Sequence, residues 1–270
     1  MLTNFGERLK SARRMSGLSM EALSKRAGQA VTKQAISKYE KGMMNPGSDA
    51  LIALSRALGI KPDYFFRSQK VSLGKLEFRK KSKLSRKEEE SIRYRTLDFL
   101  ERYLEIEDIL GEEAVFKNPI SDTHVLSHEE VEKAAMELRR KWKLGEVPVS
   151  NLMELLEDKG IRIYEIQTGE CFHGISACAG DIPVIAVREQ DDLLRKRFTI
   201  SHELGHILLK FPEKNDQKVR EKLCHTFAGA FLLPENVIKA ELGERRRCIV
   251  GVEKAQECIR DFHPSHYGQG

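Results

Sequence analysis

The chain has 270 residues, 40% of them hydrophobic and 32% charged, with a formal net charge of +5. Such a chain can build one large or two modest soluble domains. No apolar run approaches the roughly 18–20 residues of a bilayer span, MLTNFGERLK lacks the apolar core of a secretory signal, and the cysteines at 171, 178, 224, 248 and 258 form no CxxC pair. A membrane protein and a disulfide framework are excluded on these grounds, and the expectation is a cytoplasmic protein.

Charge is concentrated at the front. Residues 1–66 carry eleven Lys and Arg against five Asp and Glu, and a second basic cluster, FRKKSKLSRK, runs from Phe78 to Lys87. That distribution points to a polyanionic partner. Phe5, Leu9 and Ala12 form one stripe of a first helix ending near Gly17. Ser19 precedes a second, MEALSKRAG, with Ala22 and Leu23 turned inward and Gly28 as its stop. Thr32 caps a third, KQAISKYEKG, where Ala35 and Ile36 face inward and Gly42 ends the helix. Asn45-Pro46-Gly47 is a turn, SDALIALSRALGI is a fourth helix capped by Ser48 or Asp49, and Pro62 to Phe66 is a short apolar turn.

Short helices with a glycine break between the second and third are what a helix-turn-helix requires. Its third helix must present hydrogen-bonding groups to the major groove and small or aliphatic ones to the core. Thr32, Lys33, Gln34, Ser37 and Lys38 meet that demand, since Gln can pair with adenine and Lys or Ser can reach guanine edges or phosphates. The run LSMEALSKRAG…TKQAISKYEKGMMNPGSDALIALSRALG resembles the Cro and phage-repressor (XRE-like) family. The resemblance implies binding of double-stranded operator DNA. A homodimer of such heads reads half-sites about one helical turn apart.

Residues 67–126 read as a basic linker and a connecting helix. The stretch 67–95 is polar and charged, and a helix from Ser91 to Leu110 places Leu97, Leu100, Leu104 and Ile109 near one face as a packing or dimerisation element. Ser127 caps HEEVEKAAMELRRKWKLG, in which Trp142 is a core residue; His124 and His128 are surface residues. VSNLMELLEDKG is a further helix, and Ile161, Ile163 and Ile166 mark a strand. HGISACAGDIPVIAV, His173 to Val187, reads as two strands joined at Ala179-Gly180-Asp181. Cys171, His173 and Cys178 are too loosely spaced on strands to be read as a metal cluster.

Leu193 to Lys210 has helical spacing and contains His202-Glu203-Leu204-Gly205-His206. Residues four apart share a helix face, so the two imidazoles stand side by side, and Glu203 lies about 100° round the cylinder, able to act as a general base beside a metal without ligating it. Gly205 keeps the helix surface low where a substrate chain could approach. A catalytic zinc ion takes three protein ligands and keeps one open position, and Glu221, on the first turn of a second helix in EKLCHTFAGAFLLP, supplies the third. Ala228, Phe231 and Leu232 give that helix its buried face, and Cys224 is a small buried residue.

RFTISHELGHILLK together with EKLCHTFAGAFLLP is similar to the ImmA/IrrE metallopeptidase family, from about Ser127 onward. The resemblance implies a zincin-like domain over 127–247, with Zn2+ held by His202, His206 and Glu221 and with Glu203 as general base. His225 departs from the family pattern, where Asn or Asp is commoner. It is a donor behind the ligands, an alternative ligand or an oxyanion stabiliser. Residues 248–270 lose the helical logic of their family counterparts and read as an atypical tail, as a frame shift in the gene would produce.

The fold expected is mainly α with a small β-sheet, an α+β chain with an all-α N-terminal head. The expected function is a transcriptional regulator, a repressor, controlled by its own peptidase domain, whose peptide substrate is the chain itself or another repressor. The rival reading is a non-catalytic transcription factor or antitoxin-like autoregulator that uses the zincin fold as a ligand or metal sensor.

Overall fold

Side-chain caps start most of the helices. Ser19 and Thr32 accept from the amides of Ala22 and Ala35 and open α2 (Met20–Arg26) and α3 (Lys33–Glu40); α1 (Asn4–Met15) precedes them. The fourth helix, α4 (Ser48–Leu58), corrects the sequence reading: its cap is Gly47, with no side-chain bond, and Ser48 already lies inside. Gly28, Gly42 and Gly59 end helices at positive φ, where a side chain would be strained. The computed structural model describes residues 4–28, 30–67, 76–78, 84–111, 115–212 and 216–242. The atypical tail expected over 248–270 lies outside them.

The chain divides into two units, Met1–Lys117 with Met153–Glu203, and Asn118–Leu152 with Leu204–Gly270. The first unit begins with the helical head. Its core is Phe5, Leu9, Leu23, Ile36, Leu54 and Phe65, closed by the 3-10 turn Pro62–Phe66. Ala22 is half-buried rather than core. Arg13 of α1 forms two bonds to Glu40 at the end of α3, at 2.6 and 2.7 Å, and both side chains are buried.

Two elements stand where the sequence reads as linker. Leu76–Phe78 is a strand, β1, and the connecting helix α5 (Arg86–Leu110) begins five residues earlier than expected, opened by a reciprocal Ser85–Glu88 capping box. α5 packs on the head through Arg8–Glu101, Arg14–Glu90 and Ser91 Oγ, which donates to the Met15 carbonyl at 2.6 Å. Towards the sheet it presents Ile92, Leu97 and Leu100. Ile109, expected on that face, is exposed along with Ile106 and Leu110, because the buried stripe stops near Leu104.

The sheet has four strands in the order β1-β3-β4-β2, with β2 Arg162–Ile166, β3 Gly174–Ala179 and β4 Ile182–Arg188. β3 and β4 form a hairpin turning at Gly180, β2 joins β4 in parallel, and β1 pairs antiparallel with β3 from Leu76↔Ala179 to Phe78↔Ala177. Val184 to Val187 are fully buried, as an unbroken apolar run implies when both sheet faces are covered. Ile175, Ala177 and Ala179 pack towards α5, and strand alternation turns Gly174 and Ser176 to the other face. α7 (Leu152–Asp158) precedes β2.

In the second unit α6 (His128–Lys141) opens with a Ser127–Glu130 capping box and packs against α9 (Gln217–Leu232), which α10 (Glu235–Leu242) follows. Buried Arg139 fastens the pair, donating to the carbonyls of Phe231 (2.7 Å), Gly145 (2.8 Å) and Val147 (2.5 Å). Trp142 is half-buried and meets Phe231 edge-on. The architecture is α+β, and among the described residues no helix is long and apolar enough to cross a membrane.

Candidate metal centre and nucleic-acid interface

The helix α8 (Leu193–Leu208) is continuous across the division between the units, which falls between Glu203 and Leu204. Its inward residues are Ile200, Ser201, Leu204 and Leu208, all fully buried, whereas Leu194 and Phe198 are exposed. His202, Glu203 and His206 are buried at 6, 5 and 5% exposure. One ligand atom each from His202, His206 and Glu221 lies within 4.8 Å of the others, and His206 Nε2 is 3.6 Å from Glu221 Oε1. A tetrahedral zinc ion with bonds of about 2.0–2.2 Å needs neighbouring donors about 3.3–3.6 Å apart. Two imidazoles and one carboxylate are the donor set such an ion takes, so these residues fit it. Among the described residues no other group of this kind occurs.

The two nitrogens of His206 face opposite ways. Nε2 faces Glu221, and Nδ1 lies 3.4 Å from Sγ of Cys224, which is fully buried. A proton held on Nδ1 leaves the Nε2 lone pair for a ligand, so the contact bears on which tautomer is available. The sequence reading treated Cys224 as filler, although its place three residues after Glu221 puts it on nearly the same helix face. The second residue missed is Ser176 of β3. Its Oγ donates to Glu203 Oε2 at 2.8 Å. A lone hydroxyl in a buried strand was the available signal, since such a group must find a partner.

Two details differ from the sequence reading. α9 begins at Gln217, capped by Asp216, so Glu221 stands in its second turn. Gly205 does not border an open substrate path: a Cβ there would meet Phe227 Cδ1 at 3.1 Å and Cys224 Cα at 3.5 Å, so the glycine admits α9. His225 is exposed one turn beyond Glu221 and is not among the grouped ligand atoms. His173 lies elsewhere, with Nδ1 3.4 Å from Asp191 and Nε2 2.9 Å from Arg195, while Cys171 is exposed and Cys178 half-buried. His124 and His128 are exposed.

On the head, α3 turns Ile36 and Tyr39 into the core and leaves Lys33, Gln34 and Lys38 exposed, with Ser37 half-buried. Thr32 is exposed, and its Oγ1 accepts from the Ala35 amide at 3.1 Å. The buried Arg13–Glu40 pair braces the far end of the same helix.

An all-α head with its third helix presented, joined to an α+β body whose helix carries paired histidines, defines a protein of two functional modules. Residues 9–65 match the helix-turn-helix family model, and residues 156–257 match the IrrE N-terminal-like domain, Peptidase M78. The chain thus joins an XRE-like helix-turn-helix domain to an ImmA/IrrE-like peptidase domain. Similar proteins include two uncharacterized HTH-type transcriptional regulators of Sinorhizobium fredii (strain NBRC 101917 / NGR234), y4wC and y4aM. They are 38 and 41% identical over 61 residues, 23% of this chain and 41% of each relative. YonR, an SPbeta prophage-derived uncharacterized HTH-type transcriptional regulator of Bacillus subtilis (strain 168), is 36% identical over 63 residues, 23% of this chain and 56% of its own length. The chain thus spans about two fifths of the first two relatives and just over half of the third. No solved structure matches the chain.

Proposed function

We propose that this protein is a DNA-binding transcriptional repressor, acting as a cytoplasmic homodimer, whose peptidase domain binds zinc and controls the repressor by cutting a peptide bond in the chain itself or in another repressor. The observation that carries the reading is the convergence of His202, His206 and Glu221 beside Glu203, on a chain whose head leaves the polar side of α3 in solvent. His202, His206 and Glu221 hold the cation, which when bound supplies Lewis acidity. Glu203 takes a proton from water and passes it to the leaving amine. On the head, Gln34 and Lys33 read base edges, while Thr32, Ser37 and Lys38 reach base edges or phosphates.

The test combines metal analysis, binding to the DNA upstream of the protein's own gene, and peptide cleavage by wild type and Glu203→Gln. The reading expects about one zinc per chain, operator binding weakened by Gln34→Ala, and cleavage abolished by Glu203→Gln with zinc retained. Zinc without any Glu203-dependent cleavage would leave a metal-sensing transcription factor. Absence of operator preference would remove the repressor.

A further inference from the structure

We propose that Ser176 is a positioning residue for Glu203, holding its carboxylate in a single orientation beside the candidate metal ligands. The proposal rests on the reading of Glu203 as the general base. Ser176 is 1% exposed, and its hydroxyl donates to Glu203 Oε2 at 2.8 Å across the face between β3 and α8. A hydroxyl has a single proton to give. Spent on Oε2, it fixes the rotamer of a side chain that otherwise has three torsions to explore.

The spacing that makes this bond is set by a glycine two residues earlier. A Cβ on Gly174 would stand 2.4 Å from Thr199 Cγ2, 3.4 Å from the Ala186 carbonyl and 3.5 Å from Glu203 Cγ. Without that Cβ, the turn of α8 carrying Thr199 and Glu203 settles onto β3 closely enough for Ser176 to reach the carboxylate. Strand alternation then brings Gly174 and Ser176 to the same face, one as the gap and the other as the donor. Neighbouring Ala177 and Ile175 pack towards α5 and have no part in it.

The experiment uses the zinc-loaded full chain and acetohydroxamate, a small chelator that adds a hydrogen bond to a carboxylate beside the metal. Its affinity is measured by calorimetry, zinc affinity by chelator competition, and folding by thermal denaturation. Ser176→Ala and the near-isosteric Ser176→Cys, whose thiol is a weak donor, should bind hydroxamate about 10- to 100-fold more weakly, the usual cost of losing such an orienting contact. Zinc affinity should be unchanged, and Ser176→Thr, which keeps the hydroxyl, should recover most of the loss. If both hydroxyl-deleted variants bind hydroxamate as wild type while Glu203→Gln binds it weakly, the positioning role is overturned and the general base stands. If Glu203→Gln also binds as wild type, Glu203 does not serve the metal, and the broader reading falls together with this one.

Discussion

Removing the carboxylate of Glu40 should cost the head about 3–5 kcal/mol, the usual penalty for stranding one partner of a buried ion pair. The structure makes that upper class of penalty the relevant one. Arg13 Nε and one terminal nitrogen reach the two oxygens of Glu40 at 2.6 and 2.7 Å, and the other terminal nitrogen donates to the Leu18 carbonyl at 2.9 Å. With side chains 3 and 4% exposed, water cannot replace the lost acceptor. Against a typical domain stability of about 5–15 kcal/mol, Glu40→Ala leaves a marginal fold. Urea denaturation followed by circular dichroism measures the stability, and operator anisotropy follows α3, which ends at Glu40. Replacing both partners, Arg13→Met with Glu40→Leu, should restore most of the loss, because paired apolar groups have no charge to desolvate. A Glu40→Ala cost below about 1 kcal/mol, the range of exposed pairs, with operator affinity intact would refute the reasoning.

Gly205→Ala should lower stability, since Phe227, stacked on Phe231 with 5.9 Å between centroids, has little room to yield to a Cβ at 3.1 Å. Overpacking of about 1–3 kcal/mol outweighs a helix-propensity gain of about 1; the thermal midpoint and zinc affinity should fall together, and a rise in both would contradict the packing. Tyr64 is pushed up to about 12 from an ordinary 10.0, by burial first and then by the charge of Asp98. The fold therefore holds the phenolic proton more tightly than the unfolded chain does, so this contribution to stability is complete below pH 10 and is lost as pH rises towards 12. Absorbance titration of the six tyrosines should show Tyr64 as the latest step, behind Tyr94 and Tyr103, which burial also raises, and a Tyr64→Phe variant should lack that last step while weakening less in this alkaline window.

What was legible in the sequence was mostly local. Ser19, Thr32 and Ser127 act within three residues of themselves, and each caps in the structure as its spacing implies. The paired histidines likewise depend only on helix periodicity. β1 was not legible because its pattern is set by a partner about a hundred residues away: Leu76–Phe78 is too short and too close to a lysine-rich run to show alternation. Ile109 was misplaced for a related reason, since periodicity gives a face but not where its covering surface ends. Gly205 and Ser176 are legible only in three dimensions. Whether a glycine opens a path or admits a helix, and which acceptor a buried hydroxyl finds, are settled by neighbours that the local sequence does not encode.

The outermost strand bears on the candidate site through a single shared strand. β1, Leu76–Phe78, is at the sheet edge and pairs with Ala177–Ala179 of β3, and the next residue of β3, Ser176, grips Glu203. Loss of that edge pairing would bare the β3 backbone one residue from the hydroxyl, so the fit of three residues near the head reaches the carboxylate.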